Sequence, residues 1–376
     1  MSRGLGFYGF LKSWPVVGFS ALGLGIGGHF LVKSYVGGSQ YKLPEDVDLE
    51  GKTYIVTGAN TGIGYETAKW LAKNKARVIM ACRNMDKCTD KRRDIVLFTR
   101  NKHVVCRQCD LASMESIRNL AERIIRREKR IDGVVNNAAV MRLPGRELTL
   151  DGFEKQLGVN YLGHFLLNLL LLDKLKSQDH PARFVHLGSM AHVKGQVNFD
   201  DFNQLDYDPD EAYKQSKVAL FAYSNELADK LQGTGITSNV VEPGVFVKSE
   251  HDKYMPYRRK WYSFISKPIY GILKYFRART PEQAAWYVVH ALVDPELNET
   301  SGKYLRHYQV DEIDINQTAK DKNLRQRLWA TSQQWTRLRE QKLLLQEQLL
   351  RPPKKKAKET EVVGDREFRV LTDIKA

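Results

Sequence analysis

Residues 54–64 read Tyr-Ile-Val-Thr-Gly-Ala-Asn-Thr-Gly-Ile-Gly, an apolar run that passes directly into a glycine-rich turn. A helical pattern through Ala68, Leu71 and Ala72 follows at once. Glycines in such a turn permit a tight bend, let the backbone approach a pyrophosphate and let the helix pack on the strand. The unpaired N–H groups of the helix start then face the anion. The stretch therefore predicts a strand, a dinucleotide-binding turn and a helix.

Apolar runs alternate with helical segments along the rest of the domain, each run ending at small or polar residues. The further expected strands lie at 77–82, 103–106, 134–139, 184–187 and 236–241. This alternation predicts an α/β fold, a doubly wound parallel sheet of the Rossmann type with helices on both faces. A chain of 376 residues fits a single domain of this kind with an appendage at each end.

The end of the second strand bears on the choice of cofactor. NAD-binding proteins of this fold usually place an acidic residue there, whereas here Cys82 takes the position and Arg83 follows. A missing carboxylate removes repulsion toward a 2′-phosphate, and a guanidinium offers it a planar donor. The residues therefore favour NADP(H) over NAD(H), with a solvated Arg83 as the alternative. After the third strand, Asp110-Leu111 is suited to hold the adenine amino group.

Tyr213 and Lys217 are candidates for acid and base chemistry. They lie four residues apart in Tyr-Lys-Gln-Ser-Lys, so they share one face of a helix. A fixed positive charge favours the phenolate and so makes Tyr213 a candidate general acid and base. Ser189 follows an expected strand. If Tyr213 gives its proton to the carbonyl oxygen of a substrate, the Ser189 hydroxyl could bind that same oxygen. Taken alone, the Tyr-Lys pair also fits a solvated helix face.

The ordered motifs together resemble the short-chain dehydrogenase/reductase family over about residues 50–310. The features that carry the resemblance are the glycine-rich turn, Asp110-Leu111, Asn136-Asn137-Ala138, Asn160, Ser189, Tyr213-x-x-x-Lys217 and Pro243-Gly244. Further strings, such as Ala81-Cys82-Arg83 and residues 160–167, resemble the retinol dehydrogenase branch, its mitochondrial-type members above all.

The resemblance implies a role for each matching residue. Tyr213 would donate or accept the proton, and Lys217 would lower the pKa of that tyrosine and hold the nicotinamide ribose. Ser189 would bind the substrate oxygen, and Asn160 would hold a water that connects Lys217 to solvent. The residues expected to contact the cofactor are Gly58, Asn60, Thr61, Gly62, Ile63, Gly64, Arg83, Asp110, Leu111, Asn137, Ala138, Tyr213, Lys217, Pro243, Gly244 and Val245.

The implied activity is the NADP(H)-linked interconversion of a lipophilic alcohol and its aldehyde or ketone. Retinol and retinal are the leading pair, and steroid ketones or lipid aldehydes are alternatives within the family. A catalytically silent binding protein with the same fold is the alternative from another class.

Three positions depart from the family pattern. Ala139 replaces the glycine that usually follows Asn-Asn-Ala, Lys248 stands where a threonine commonly contacts the carboxamide, and Glu242 replaces a histidine before Pro-Gly. Ser249 could substitute for that threonine. Cofactor affinity is the property that Lys248 puts in question.

The four cysteines lack extracellular-type spacing and predict no disulfide framework. Cys106 and Cys109 form a Cys-x-x-Cys on an expected strand, where residues three apart face opposite sides. No second pair completes a zinc site. We therefore expect no bound metal and a structural role for both thiols.

An apolar stretch free of lysine and arginine runs from Trp14 to Val32, bracketed by Arg3, Lys12 and Lys33. At ~1.5 Å per residue it is long enough to cross ~30 Å of hydrocarbon, which predicts a membrane anchor, with a buried core helix as the alternative. The family resemblance points to the endoplasmic reticulum or the mitochondrion. Residues 249–280 alternate basic and aromatic side chains, and they could shelter a lipophilic substrate and rest on anionic lipid or pack on the core.

Beyond the domain, leucines recur at helical spacing from Leu324 to Leu349, and Pro352-Pro353 ends the pattern. This predicts an amphipathic helix against the domain, a neighbouring subunit of a homo-oligomer or a membrane. The expected organisation is an anchor at 1–36, a linker at 37–49, the catalytic domain at 50–322, the helix at 323–351 and a mobile tail at 352–376. The net charge of +15 is scattered, so it does not indicate nucleic-acid binding.

Overall fold

The computed structural model of the chain describes residues 40–244, 279–312 and 315–352. No helix within those ranges is long and apolar enough to cross a bilayer. The stretch from Trp14 to Val32, residues 249–278 of the basic and aromatic segment, and the tail from Pro353 onward lie outside them, as do Val245 and Lys248. The anchor and the roles proposed for these segments therefore stay predictions.

Within the described residues, eight strands form one sheet in the order β3-β2-β1-β4-β5-β6-β7-β8. The strands are β1 (Thr53–Thr57), β2 (Arg77–Cys82), β3 (Val104–Gln108), β4 (Gly133–Asn136), β5 (Ala182–Leu187), β6 (Ile236–Val241), β7 (Tyr304–Arg306) and β8 (Gln309–Val310). All neighbours pair in parallel except β7 and β8, which are antiparallel. The predicted parallel Rossmann-type sheet is thus confirmed, with one short antiparallel strand at its edge.

The helices cover both faces of the sheet. They are α1 (Gly62–Lys73), α2 (Met85–Thr99), α3 (Met114–Arg127), α4 (Gly163–Lys176), α5 (Pro209–Lys230), α6 (Pro281–Val293), α7 (Gln317–Lys320), α8 (Lys322–Trp335) and α9 (Leu338–Leu350). Helices α1, α2 and α6 share one hydrophobic core with the sheet, and α3, α4 and α5 share the other.

Strand β1 shows why its run of residues reads as continuously apolar. Ile55 packs into the core beneath α3, α4 and α5, whereas its neighbours Tyr54 and Val56 pack into the core beneath α1, α2 and α6. A strand buried on both faces needs apolar side chains in both directions, which is typical of parallel sheets. The alternation also fixes which side of the sheet each following residue faces.

The C-terminal extension is two helices, not the single helix that the leucine spacing predicts. Arg337 adopts a left-handed φ of 46° between α8 and α9, which no continuous helix contains. The break redirects the chain, because α8 packs on α5 whereas α9 packs on α3 and α4. Leu328 of α8 and Leu345 of α9 are buried in the domain core. The sequence predicts that this extension covers its own domain, a neighbouring subunit or a membrane. The two helices cover their own domain.

One disulfide joins Cys88 of α2 to Cys106 of β3, with the two Cα atoms 6.1 Å apart. This corrects the expectation that the cysteines form no disulfide. The spacing of the cysteines along the chain could not reveal this disulfide, because it is the packing of α2 against β3 that brings Cys88 and Cys106 together. Cys109 remains a buried free thiol, as does Cys82, so the Cys-x-x-Cys itself is not bridged. Within the described residues, no cluster of His, Cys, Asp or Glu is arranged to hold a metal ion.

Candidate active site

The carboxyl ends of β1, β4, β5 and β6 lie side by side at one edge of the sheet. In open α/β sheets this edge is where ligands bind. The turn after β1, Asn137 after β4, Ser189 after β5 and Pro243-Gly244 after β6 all lie there.

The glycine-rich turn has the geometry that a phosphate group requires. Gly58 and Gly62 adopt positive φ angles of 64° and 57°, and a Cβ at Gly62 would meet nothing within 4 Å. Thr61 precedes α1 without a side-chain hydrogen bond to the helix, and the first turn of α1 carries no acidic residue. Open space beside uncapped N–H groups at a helix start fits an anion. The residues present therefore fit a dinucleotide's pyrophosphate.

Gly64 is needed for packing inside this turn. A Cβ there would lie 2.4 Å from Asn137 Nδ2 and 2.7 Å from the Gly58 carbonyl oxygen. The Asn137 amide in turn donates to the Thr57 carbonyl at 2.7 Å. Asn137 thus locks the turn after β1 to the end of β4.

The Thr57 hydroxyl is a second link between these strands, and the sequence analysis missed it. Its Oγ1 accepts from the backbone N–H groups of Asn137 at 2.9 Å and Ala138 at 3.0 Å. The same oxygen lies 2.9 Å from His164 Nε2. Threonine is common at strand ends, so the chain offers no local signal that this hydroxyl holds two expected cofactor contacts in place.

The region beside the expected adenosine half of the cofactor carries no negative thiolate. Cys82 is 1% exposed, and burial raises the pKa of its thiol to about 12, although the Ala59 and Asn60 backbone amides oppose that shift. Arg83 next to it is exposed. Asp110 is held by the Ala112 backbone N–H, which donates to its Oδ1 at 3.0 Å. A neutral thiol and a free-standing guanidinium at this place are compatible with a 2′-phosphate.

Tyr213 lies on α5 with 7% of its surface exposed. Burial raises the pKa of the phenol, whereas a hydrogen bond with Ser189 and the charge of Arg142 oppose that rise. The Lys217 ammonium lies 5.8 Å from the centre of the tyrosine ring. The structure therefore brings Tyr213, Ser189 and Lys217 together.

Lys217 is held by the end of β5. Its Nζ donates to the Leu187 carbonyl at 2.8 Å. Burial lowers the pKa of the amine to about 8, and the negative charge of Glu242 opposes that shift. The amine is thus mostly an ammonium at neutral pH and loses its proton in the mildly alkaline range.

Asn160 lies in a π-helical turn, Gly158–Leu162, that leads directly into α4. Such turns occur often at functional sites. Its side chain accepts from the Val140 N–H at 2.8 Å and donates to the Val140 carbonyl at 2.9 Å and to Ser216 Oγ at 3.0 Å. Asn160 therefore fixes the loop after β4 to the helix that carries Tyr213.

An arginine that the sequence analysis did not single out also reaches the tyrosine. The Arg142 guanidinium lies 5.3 Å from the centre of the Tyr213 ring, and its Nε binds Asp210 Oδ1 at 2.5 Å. Arg142 has a left-handed φ of 49°, a strained conformation of the kind found at functional sites. It comes from the loop after β4, where no motif marks it.

Comparisons with known proteins agree with this geometry. A family model described as short chain dehydrogenase matches residues 52–258. Retinol dehydrogenase 13 of Mus musculus is 44% identical over 316 residues, 83% of this chain and 91% of that protein. Polyprenol dehydrogenase of Homo sapiens is 39% identical over 288 residues, 75% of this chain and 84% of that protein.

Solved structures share the fold. A crystal structure of an uncharacterized protein from Mycobacterium paratuberculosis has a TM-score of 0.61 and 28% identity, and the match covers 80% of this chain and 98% of that one. The RhlG/NADP active-site complex from Pseudomonas aeruginosa has a TM-score of 0.54 and 25% identity, over 69% of this chain and 95% of that one.

Proposed function

The chain belongs to the short-chain dehydrogenase/reductase family, and on that premise we propose that this oxidoreductase uses NADP(H) to interconvert a lipophilic alcohol and its carbonyl form, retinol and retinal first. The observation that carries the proposal is the buried Tyr213 hydroxyl, which interacts with Ser189, with the Lys217 ammonium 5.8 Å from the centre of the same ring. This is an acid next to a fixed cation, at the end of a sheet whose first turn fits a dinucleotide.

The side chains divide the work of the reaction. When bound, the nicotinamide supplies the hydride in reduction and accepts it in oxidation. Ser189 and Tyr213 donate hydrogen bonds to the carbonyl oxygen, and Tyr213 transfers its proton to that oxygen as negative charge develops there. Lys217 stabilises the resulting phenolate and holds the ribose, and Asn160 orders the water that returns a proton from solvent.

The remaining cofactor contacts follow the same proposal. The turn residues Gly58, Asn60, Thr61, Gly62, Ile63 and Gly64 would hold the pyrophosphate, and Asp110 with Leu111 would hold the adenine. Asn137, Ala138, Pro243, Gly244 and Val245 would line the nicotinamide half. Arg83 would bind the 2′-phosphate.

The substrate assignment rests on the curated relatives and on the apolar stretch from Trp14 to Val32. A retinol dehydrogenase and a polyprenol dehydrogenase are both among the proteins that this chain resembles, and both names denote lipophilic alcohols. An N-terminal anchor in the endoplasmic reticulum or mitochondrial membrane would place the domain where such alcohols dissolve. The basic and aromatic residues at 249–280 would then contact substrate and lipid.

Substrate turnover by the full chain in detergent tests this function. We expect NADPH consumption with all-trans-retinal to exceed that with a steroid ketone or a medium-chain aldehyde, measured as loss of absorbance at the same protein concentration. NADP⁺ reduction with retinol and with a polyprenol examines the reverse direction. Bound NADPH without turnover of any of these compounds would instead favour the catalytically silent binding protein.

Replacing Arg83 by alanine tests the cofactor preference. A hydrogen bond to a charged group contributes about 1.5–3 kcal/mol, so we expect NADPH affinity to fall about tenfold to a hundredfold while NADH affinity stays unchanged. Fluorescence titration with each cofactor measures this. Arg93→Ala, at another exposed arginine nearby on α2, is the matched control. Equal losses for NADPH and NADH, or none for NADPH, would contradict a 2′-phosphate contact.

A further inference from the structure

We propose that Glu242, one of the residues that depart from the family pattern, acts through its charge on Lys217 without a direct ion pair to it, and is thereby a positioning residue for proton transfer at Tyr213. The inference rests on the proposed function and assigns to this site a residue whose effect the sequence leaves open.

Strand register places Glu242 near the carbonyl group that binds Lys217. The Lys217 ammonium donates to the Leu187 carbonyl at 2.8 Å, and Leu187 pairs directly with Val241 in the parallel register of β5 and β6. Glu242 directly follows the last residue of β6. The lysine contact and the carboxylate are therefore one residue apart across two neighbouring strand ends.

The side of the sheet is also the same. Val240 packs in the core beneath α3, α4 and α5, and Val241 packs in the opposite core. Because side chains alternate along a strand, Glu242 faces the side of Val240. That is the side on which α5 carries Tyr213 and Lys217.

Two donors hold the carboxylate in this position. Glu242 is 2% exposed, its Oε2 accepts from the Tyr304 hydroxyl at 2.6 Å and its Oε1 accepts from the Gly244 backbone N–H at 3.0 Å. Both oxygens act as acceptors, which is the arrangement of an ionised carboxylate. A buried carboxylate with a fixed position needs a compensating cation nearby.

The charged groups that act on the Glu242 carboxylate lie on α5 and β7. Burial raises the pKa of Glu242, and the Tyr304 and Gly244 hydrogen bonds, then Lys217 and Arg306, oppose that rise. Among the described residues, Glu242 is the acid whose charge acts on Lys217 and raises its pKa against the effect of burial. The charges of Arg142 and Asp210 also act on Tyr213, the first lowering its pKa and the second raising it.

The Glu242 charge shifts the pKa of Lys217 and the pKa of Tyr213 in the same direction. The Glu242 charge raises the pKa of Lys217 and that of Tyr213. Without the charge, the ammonium would lose its proton at lower pH, and so would the phenol. Carbonyl reduction needs the protonated form of each, so its alkaline limit should move to lower pH.

The pH dependence of cofactor binding by Tyr213→Phe proteins reports the titration of Lys217 alone, because these proteins lack the Tyr213 phenol. We expect NADPH affinity of the full chain carrying Tyr213→Phe to fall as Lys217 loses its proton at a pH of about 8. In Tyr213→Phe/Glu242→Gln the midpoint should lie about one pH unit lower, the shift that one nearby charge gives. Fluorescence titration of NADPH across pH measures both midpoints.

Two further changes separate charge from packing. Glu242→Asp keeps the charge and should keep the midpoint of the parent. Glu226→Gln is the matched control, because Glu226 is also a buried carboxylate but lies on α5, 3.1 Å from Lys230; the midpoint of NADPH binding should not move in this variant. An unmoved midpoint in Glu242→Gln, or an equal shift in Glu242→Asp, would overturn the role of Glu242.

A third variant keeps the test decisive if Glu242→Gln does not fold. Lys217→Arg in the Tyr213→Phe background carries a cation without a titration in this pH range, so the alkaline loss of NADPH affinity should disappear. Its persistence would show that the loss does not belong to Lys217 and would overturn the inference. Absence of NADPH binding by the parent at every pH would instead refute the proposed function itself.

Discussion

Tyr213→Phe is expected to lower carbonyl reduction by about 10²–10⁴-fold, the contribution of a general acid, while NADPH still binds. The substitution removes only the hydroxyl, which interacts with Ser189, and leaves the ring next to the Arg142 guanidinium. Lys217 keeps its contact with the Leu187 carbonyl, so the cofactor side of the site stays formed. Steady-state turnover with all-trans-retinal, together with NADPH fluorescence, measures both properties.

Tyr223→Phe is the matched control for this loss. Tyr223 is also a buried tyrosine of α5, and its hydroxyl accepts from Asn168 Nδ2 at 3.2 Å, away from the sheet edge that holds the site. We expect this variant to lose some stability and to keep its turnover. Equal turnover of Tyr213→Phe and the unaltered protein would remove Tyr213 from the reaction, whatever the substrate.

Much of this site follows from local sequence. The strand and helix around residues 54–73 have their apolar pattern and glycines in one short stretch, and the spacing of Tyr213 and Lys217 sets both on one face of a helix whatever the rest of the chain does. Strands that end in small or polar residues then place those residues at a single edge of the sheet. The family resemblance adds the pairing of Ser189 with Tyr213.

What the sequence could not supply depends on contacts between distant segments. The Thr57 hydroxyl binds backbone amides after another strand, and Arg142 reaches Tyr213 from a loop that carries no motif. Glu242 stands out in the sequence as a departure, but its position near the Leu187 carbonyl that binds Lys217 depends on the register of β5 with β6. The Cys88–Cys106 disulfide and the break at Arg337 are likewise set by how helices pack.

The second large effect is expected from Gly64→Ala, which should weaken NADPH binding about tenfold to a hundredfold. The new methyl group would lie 2.4 Å from Asn137 Nδ2 and 2.7 Å from the Gly58 carbonyl oxygen, so one of them must move. Overpacking of this kind costs about 1–3 kcal/mol. If the turn relieves that strain by leaving its binding geometry, the same free energy is lost from cofactor binding. NADPH fluorescence titration measures the loss of cofactor binding, and thermal unfolding measures the loss of stability.

Gly145→Ala provides the matched control, because a Cβ at Gly145 would meet nothing within 4 Å and the backbone there needs no left-handed conformation. It should leave both NADPH affinity and the melting temperature unchanged. A melting temperature lowered in Gly64→Ala with NADPH affinity intact would show that the Asn137 amide yields rather than the turn. That outcome would contradict the view that the turn's geometry limits cofactor binding. Loss of affinity in Gly64→Ala alone would instead tie the dinucleotide to the 58–64 turn, because the three atoms nearest the new methyl group belong to that turn and to Asn137.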